Sequence, residues 1–149
     1  MHVDPGFRAE SAISARITPN QAFCEDFSRC QAFYRTLVER VRALPGIREA
    51  ALVNALPLNG RVAFIAADFE GRNEKFGQGA PLLFDSVITP EYTSLMQIPL
   101  IQGRGFIDAD TAADAEPVAI ITASTARKFW PGQDPIGKHV KPAWVKEWR

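Results

Sequence analysis

Residues 84–106 read FDSVITPEYTSLMQIPLIQGRGF, and residues 117–140 read PVAIITASTARKFWPGQDPIGKHV. The first stretch opens on a strand-like run, Leu82–Ile88. It then meets Thr89-Pro90-Glu91, which supplies a capping hydroxyl, a proline for the first helical position and an acid for the first turn. This predicts a short helix over Pro90–Gln97 with Tyr92, Leu95 and Met96 facing inward. Gly103-Arg104-Gly105 reads as a turn. In the second stretch Val118–Ile121 is an unbroken apolar run and predicts a short buried strand. Thr122 is placed to cap a helix over Ala123–Trp130, which Pro131-Gly132 must stop. Gly137–Lys141 predicts a last strand. The order is strand, helix, turn, strand, helix, strand.

The upstream half extends the pattern. Residues 12–17 (AISARI) alternate as a strand, and Pro19-Asn20 ends it. Ser28 with Gln31 forms a capping-box pair for a helix over Ser28–Leu44. Its apolar residues Cys30, Phe33, Leu37, Val41 and Leu44 share one face, read as core-facing with a partner-helix surface as the alternative. Pro45-Gly46 ends the helix. Ile47–Leu56 is continuously apolar (AALVNAL), as expected of a strand covered on both faces. Residues 57–61 (PLNGR) are turn chemistry, residues 62–70 (VAFIAADFE) a strand, and Gly71–Pro81 a polar, glycine-rich loop. The expected class is α+β. Helices Ser28–Leu44, Pro90–Gln97 and Ala123–Trp130 are expected to pack on one face of a mixed sheet, in βαβ-type units.

These segments also carry a resemblance. Residues 84–140, VDPGFR at 3–8 and FYRTLVERVRALPGIREAALVNALPL at 33–58 resemble, in the same order, the MacB-like periplasmic core domain of ABC-type permeases. The resemblance is to the large duplicated permeases typical of acidobacteria. It implies one domain over residues 1–149, cut short at both ends relative to its parent, with βαβ units like those of efflux porter subdomains. It implies a non-catalytic extracytoplasmic domain at the periplasmic face of the inner membrane, coupling the movement of membrane helices to export or partner contact. The implied partners are the parent transporter's membrane helices and its separate nucleotide-binding domain, where ATP is hydrolysed, with a periplasmic adaptor as a further candidate. Because the family's next strand would follow Arg149, the isolated chain is expected to expose a sheet edge and self-associate.

Composition narrows the alternatives. The 149 residues suit one domain, with 46% hydrophobic and 23% charged residues. Seventeen basic and seventeen acidic residues cancel, which argues against a nucleic-acid footprint. No window approaches the ~18 consecutive apolar residues of a membrane span. The start, Met1-His2-Val3-Asp4-Pro5, does not read as a signal peptide.

Catalytic chemistry finds little foothold. Gly132–His139 (GQDPIGKH) contains G-x-x-x-x-G-K, but His139 replaces the hydroxyl that would hold Mg²⁺ and Pro135 lacks an amide donor. A helix precedes it and a strand follows it, the reverse of a phosphate-binding loop, so it reads as a structural turn. His2 and His139 are the only histidines, neither at ligand spacing from another ligand. The acids Asp108, Asp110, Asp114 and Glu116 lack the order of a calcium loop and read as solvated. Cys24 and Cys30 are compatible with one small disulfide loop; the favoured reading is two reduced thiols with Cys30 in the core. Phe129 and Trp130 read as core plugs, and Trp144 and Trp148 as a tail that packs back or marks a contact surface. No catalytic, cofactor-binding or metal-ligating residue is therefore assigned, and no cofactor is expected. A free-standing ligand-binding module or a small enzyme with an unrecognised site are the competing readings.

Overall fold

The computed structural model describes residues 5–8, 10–57, 63–72, 82–112, 114–142 and 145. Among these residues lie three α-helices, α1 (Phe27–Arg42), α2 (Tyr92–Leu95) and α3 (Ala123–Phe129), and three strands, β1 (Ala63–Phe69), β2 (Leu82–Asp85) and β3 (Val140–Pro142). The chain divides into two compact units. One comprises Met1–Leu52 with Ile88–Pro99, the other Val53–Val87 with Leu100–Arg149. Helices with an antiparallel sheet give the expected α+β class.

The first unit is helical. Asp26, not Ser28, caps α1: its Oδ1 accepts the Arg29 amide at 3.1 Å. Asp is as good a cap as Ser, and the residue in extended backbone at the turn takes the role. A 3-10 turn, Gln21–Phe23, precedes the helix. Cys24 and Cys30 form a disulfide with Cα atoms 4.8 Å apart, correcting the expectation of free thiols. The helix starts after Cys24, so the loop can fold back on the first turn. The apolar stripe of α1 does not bury as one face. Val38 is buried, Cys30, Phe33, Leu37 and Val41 are half-buried, and Leu44 lies past the helix end and is exposed.

The remainder of this unit is held by cross-links. Arg42 Nη2 ion-pairs with Glu91 and also donates to the Ala50 carbonyl at 3.1 Å. The Thr89 hydroxyl, expected to cap α2, instead accepts the Leu52 amide at 3.0 Å, while the Thr89 amide donates to Leu52 O at 3.1 Å. Helix α2 ends in a Schellman motif. Gln97, at φ 51°, donates to Ser94 O and Ile98 donates to Thr93 O. Tyr92 and Met96 are buried as expected, and Leu95 is half-buried. Residues 12–17 are not a strand, and Ile13 is 92% exposed; alternation without a neighbouring strand does not make a sheet.

The second unit holds the sheet, in the order β2-β1-β3. Ala63 to Ala66 pair antiparallel with Asp85 to Leu82, and Ala67 to Phe69 pair antiparallel with Pro142 to Val140. The described strands are thus all antiparallel, where a mixed sheet was expected. Both α2 and α3 intervene between β2 and β3, yet β3 returns beside β1 rather than extending from β2, so no parallel pair arises. The period-2 pattern of β1 places Ala67 (0% exposed) and Phe69 (2%) on the covered face. Phe129 and Trp130, at the end of α3, complete this core, with Leu83, Ile121 and Val140 around it. Phe69 stacks on Phe129 with centroids 3.7 Å apart and meets Trp130 edge-on at 5.4 Å.

Two further sequence readings change here. Ile47–Leu56 forms no strand beyond an isolated bridge at Val53, and the chain bends at Asn54-Ala55. In this unit the Asn54 amide donates to Val87 O, but the Val87 amide is taken by the Asn54 side chain, at 3.1 Å each, so a side chain ends the ladder. Val118–Ile121 is neither strand nor buried, with Val118 and Ile120 exposed. The opposite face of the hairpin carries Phe64 and Phe84, directly paired with ring centroids 4.7 Å apart and both largely exposed. The Asn59-Gly60 turn, His2, Trp144 and Trp148 lie outside the described residues.

Candidate functional site

The Gly132–His139 segment is the natural place to look for ligand chemistry, and four of its backbone donors are already engaged. Thr122 caps α3 by accepting the Thr125 amide, and the helix ends at Trp130. Gly132 and Gly137 adopt φ of 72° and 77°, so the chain reverses at both ends of the segment. The Gln133 amide donates to Trp130 O, the Ile136 amide to Asp134 Oδ1, and the Lys138 amide to Pro135 O. The His139 amide donates to Glu70 Oε2 at 3.0 Å. A phosphate cradle needs such amides converging on an open site. Here they fasten a turn between α3 and β3, as the sequence suggested.

Glu70 is the hub of this corner. Its carboxylate also lies 2.6 Å from His139 Nδ1, its carbonyl accepts the Trp130 indole N–H at 2.9 Å, and its amide donates to His139 O at 3.0 Å. The His139 side-chain hydrogen bond, followed by the His139 amide, holds the Glu70 carboxyl below the usual range. One residue at the end of β1 thereby fixes the end of α3 and the start of β3. Next to it, Asp68 and Lys141 form a half-buried ion pair at 3.2 Å.

The acidic loop is likewise tied down. Arg104 donates in bidentate fashion to Asp110, at 2.6 and 2.8 Å, and Asp110 Oδ2 also accepts the Ile107 amide at 2.9 Å. Gly103 (φ 78°) lets this loop approach the Gly132–His139 turn; a Cβ there would lie 2.9 Å from the Ile136 side chain. Gln102 closes the contact by donating to Asp134 at 2.9 Å. Among the described residues, no group of three His, Cys, Asp or Glu side chains is arranged to hold a metal ion.

The Asp110 carboxyl is lowered from 3.8 to about 2, first by the Arg104 hydrogen bonds and then by the Ile107 amide. A depressed carboxyl stabilises the fold above its unfolded pKa and loses that contribution as pH falls through its folded pKa. Asp110→Asn is therefore expected to flatten the acid limb of unfolding between pH 3.8 and about 2. An acid limb unchanged from the wild type, followed by circular dichroism, would contradict this role.

The first unit carries an open feature. A shallow groove of about 370 Å³ runs along α1, lined by Phe23, Ala32, Phe33, Thr36 and Leu37 between Arg29 and Arg40. The Phe23 ring packs edge-on against Phe33 and lies 4.5 Å from the Arg29 guanidinium carbon. Phe33 and Leu37 are legible in the sequence as part of the α1 stripe. Phe23, which joins them through the disulfide-closed loop, is not, nor is Glu70, whose partner is 69 residues away.

An α+β chain whose charged groups join its own elements fits a structural domain more readily than a reaction centre. A family model describing the MacB-like periplasmic core domain matches residues 6–142. The chain belongs to this family, and so forms part of an ABC-type permease, in a periplasmic domain of a generally non-catalytic kind. No curated protein and no solved structure matches it. No described helix is long and apolar enough to cross a membrane.

Proposed function

We propose that this chain is a non-catalytic periplasmic domain that couples the movement of its permease's membrane helices to export or to contact with a partner. The observation that carries the reading is the family match, which runs continuously through residues 6–142 and thus through both compact units. The two units together make up one domain. Its partners are the membrane helices and nucleotide-binding domain of the transporter, with a periplasmic adaptor as a further contact. The Cys24–Cys30 disulfide supports the location, since such bonds persist in oxidising compartments such as the periplasm. Engagement of the amides at 133, 136, 138 and 139 by protein acceptors supports the absence of a nucleotide site. Self-association of the isolated chain is supported by Phe64, Phe84 and Leu82, all exposed on the hairpin.

Titration calorimetry with ATP and Mg²⁺ tests the non-catalytic part. No binding is expected. Micromolar binding lost on Lys138→Ala would overturn the reading and return a ligand role to the Gly132–His139 turn.

A further inference from the structure

We infer that the exposed face of α1 is a docking surface for an acidic amphipathic helix of a partner protein. The inference goes beyond the coupling role and does not depend on it. Arg29, Ala32, Phe33, Thr36, Leu37 and Arg40 follow one another at helical spacings of three, one, three, one and three, so they form a single stripe along α1. Arg29, Ala32, Thr36 and Arg40 are exposed, and Phe33 and Leu37 are half-buried. The most buried position of the helix is Val38. The stripe is the flank beside it, half covered at Phe33 and Leu37 and open at Arg29, Ala32, Thr36 and Arg40.

Its shape and charge specify the occupant. Phe23 forms a lip on one side and contacts both Phe33 and Arg29. The Cys24–Cys30 bond joins the residue after Phe23 to the first turn of α1, fixing that lip before any partner arrives. The seam is closed at each end by a cation. At a rise of about 1.5 Å per residue, Arg29 and Arg40 stand roughly 16 Å apart along the axis. A helix laid in the groove presents small apolar side chains to Ala32, Phe33 and Leu37, and carboxylates at matching spacing to the two arginines. A second copy using the same face does not suit. Two-fold pairing sets Arg29 against Arg40, or each arginine against its own mate, and like charges across an interface are unfavourable.

The probe is a fluorescent helical peptide with a Leu/Ala seam between two glutamates about three turns apart. A control peptide carries lysines at those two positions. The whole chain is titrated against each by anisotropy, alongside phosphatidylglycerol vesicles. The glutamate peptide is expected to bind about tenfold or more tightly than the lysine peptide. The double variant Arg29→Glu/Arg40→Glu is expected to reverse that preference, and the gain of lysine-peptide binding shows that the variant is folded. Leu37→Asp is expected to weaken both peptides. Equal binding of the two peptides, or a preference that survives the charge reversal, overturns the inference. Vesicle binding that is lost in the double variant, without peptide discrimination, overturns it in favour of a lipid surface.

Discussion

Phe69→Ala is expected to lower the stability of the chain by about 3–5 kcal/mol, the range for truncating a buried aromatic. Phe69 is 2% exposed, stacks on Phe129 and meets the Trp130 edge. Removing it strips two aromatic neighbours of contact at once. It also loosens the corner where Trp130 donates to Glu70 O, so cavity and network losses compound. Phe64→Ala, on the same strand but half exposed and paired with Phe84, is expected to cost about 1 kcal/mol or less. Urea unfolding of the two variants checks the pair. Similar losses at both positions would show that the covered face of β1 is not the core.

Reducing the Cys24–Cys30 bond is expected to cost about 2 kcal/mol, on the loop-entropy account for so short a loop. Protein folded under oxidising conditions and unfolded without reductant should show no free thiol, and two after reduction. Cys24→Ser is expected to match the reduced protein in stability. Two reactive thiols before reduction would contradict the bond.

The contrast between these results and the sequence reading has a physical pattern. Thr122 as the cap of α3, its stop at Trp130-Pro131-Gly132, and the structural turn before β3 were legible because their causes lie within a few residues of chain. The segments 12–17, 47–56 and 118–121 look like strands, but a strand exists only where a partner supplies its ladder. At 54–87 the Asn54 side chain took that place. The antiparallel order β2-β1-β3 depends on where the chain returns after α3, which no local signal records. For the cysteines the helix boundary was not decisive: a start at Ser28 or at Phe27 alike leaves Cys24 outside the helix and free to reach Cys30, and spacing alone does not record whether the bond forms. The ion pairs were the least legible. Arg104 and Asp110 belong to a loop without periodicity, and Glu70 finds His139 only through the pairing of β1 with β3.

The proposed coupling role makes a demand on the whole transporter. In the reconstituted permease, this domain is replaced by a flexible glycine-serine linker, and ATP hydrolysis and substrate movement are measured in the same vesicles. On this proposal hydrolysis should persist, because it is assigned to a separate nucleotide-binding domain, while transport is lost. Transport that continues at the wild-type rate without the domain would contradict the account.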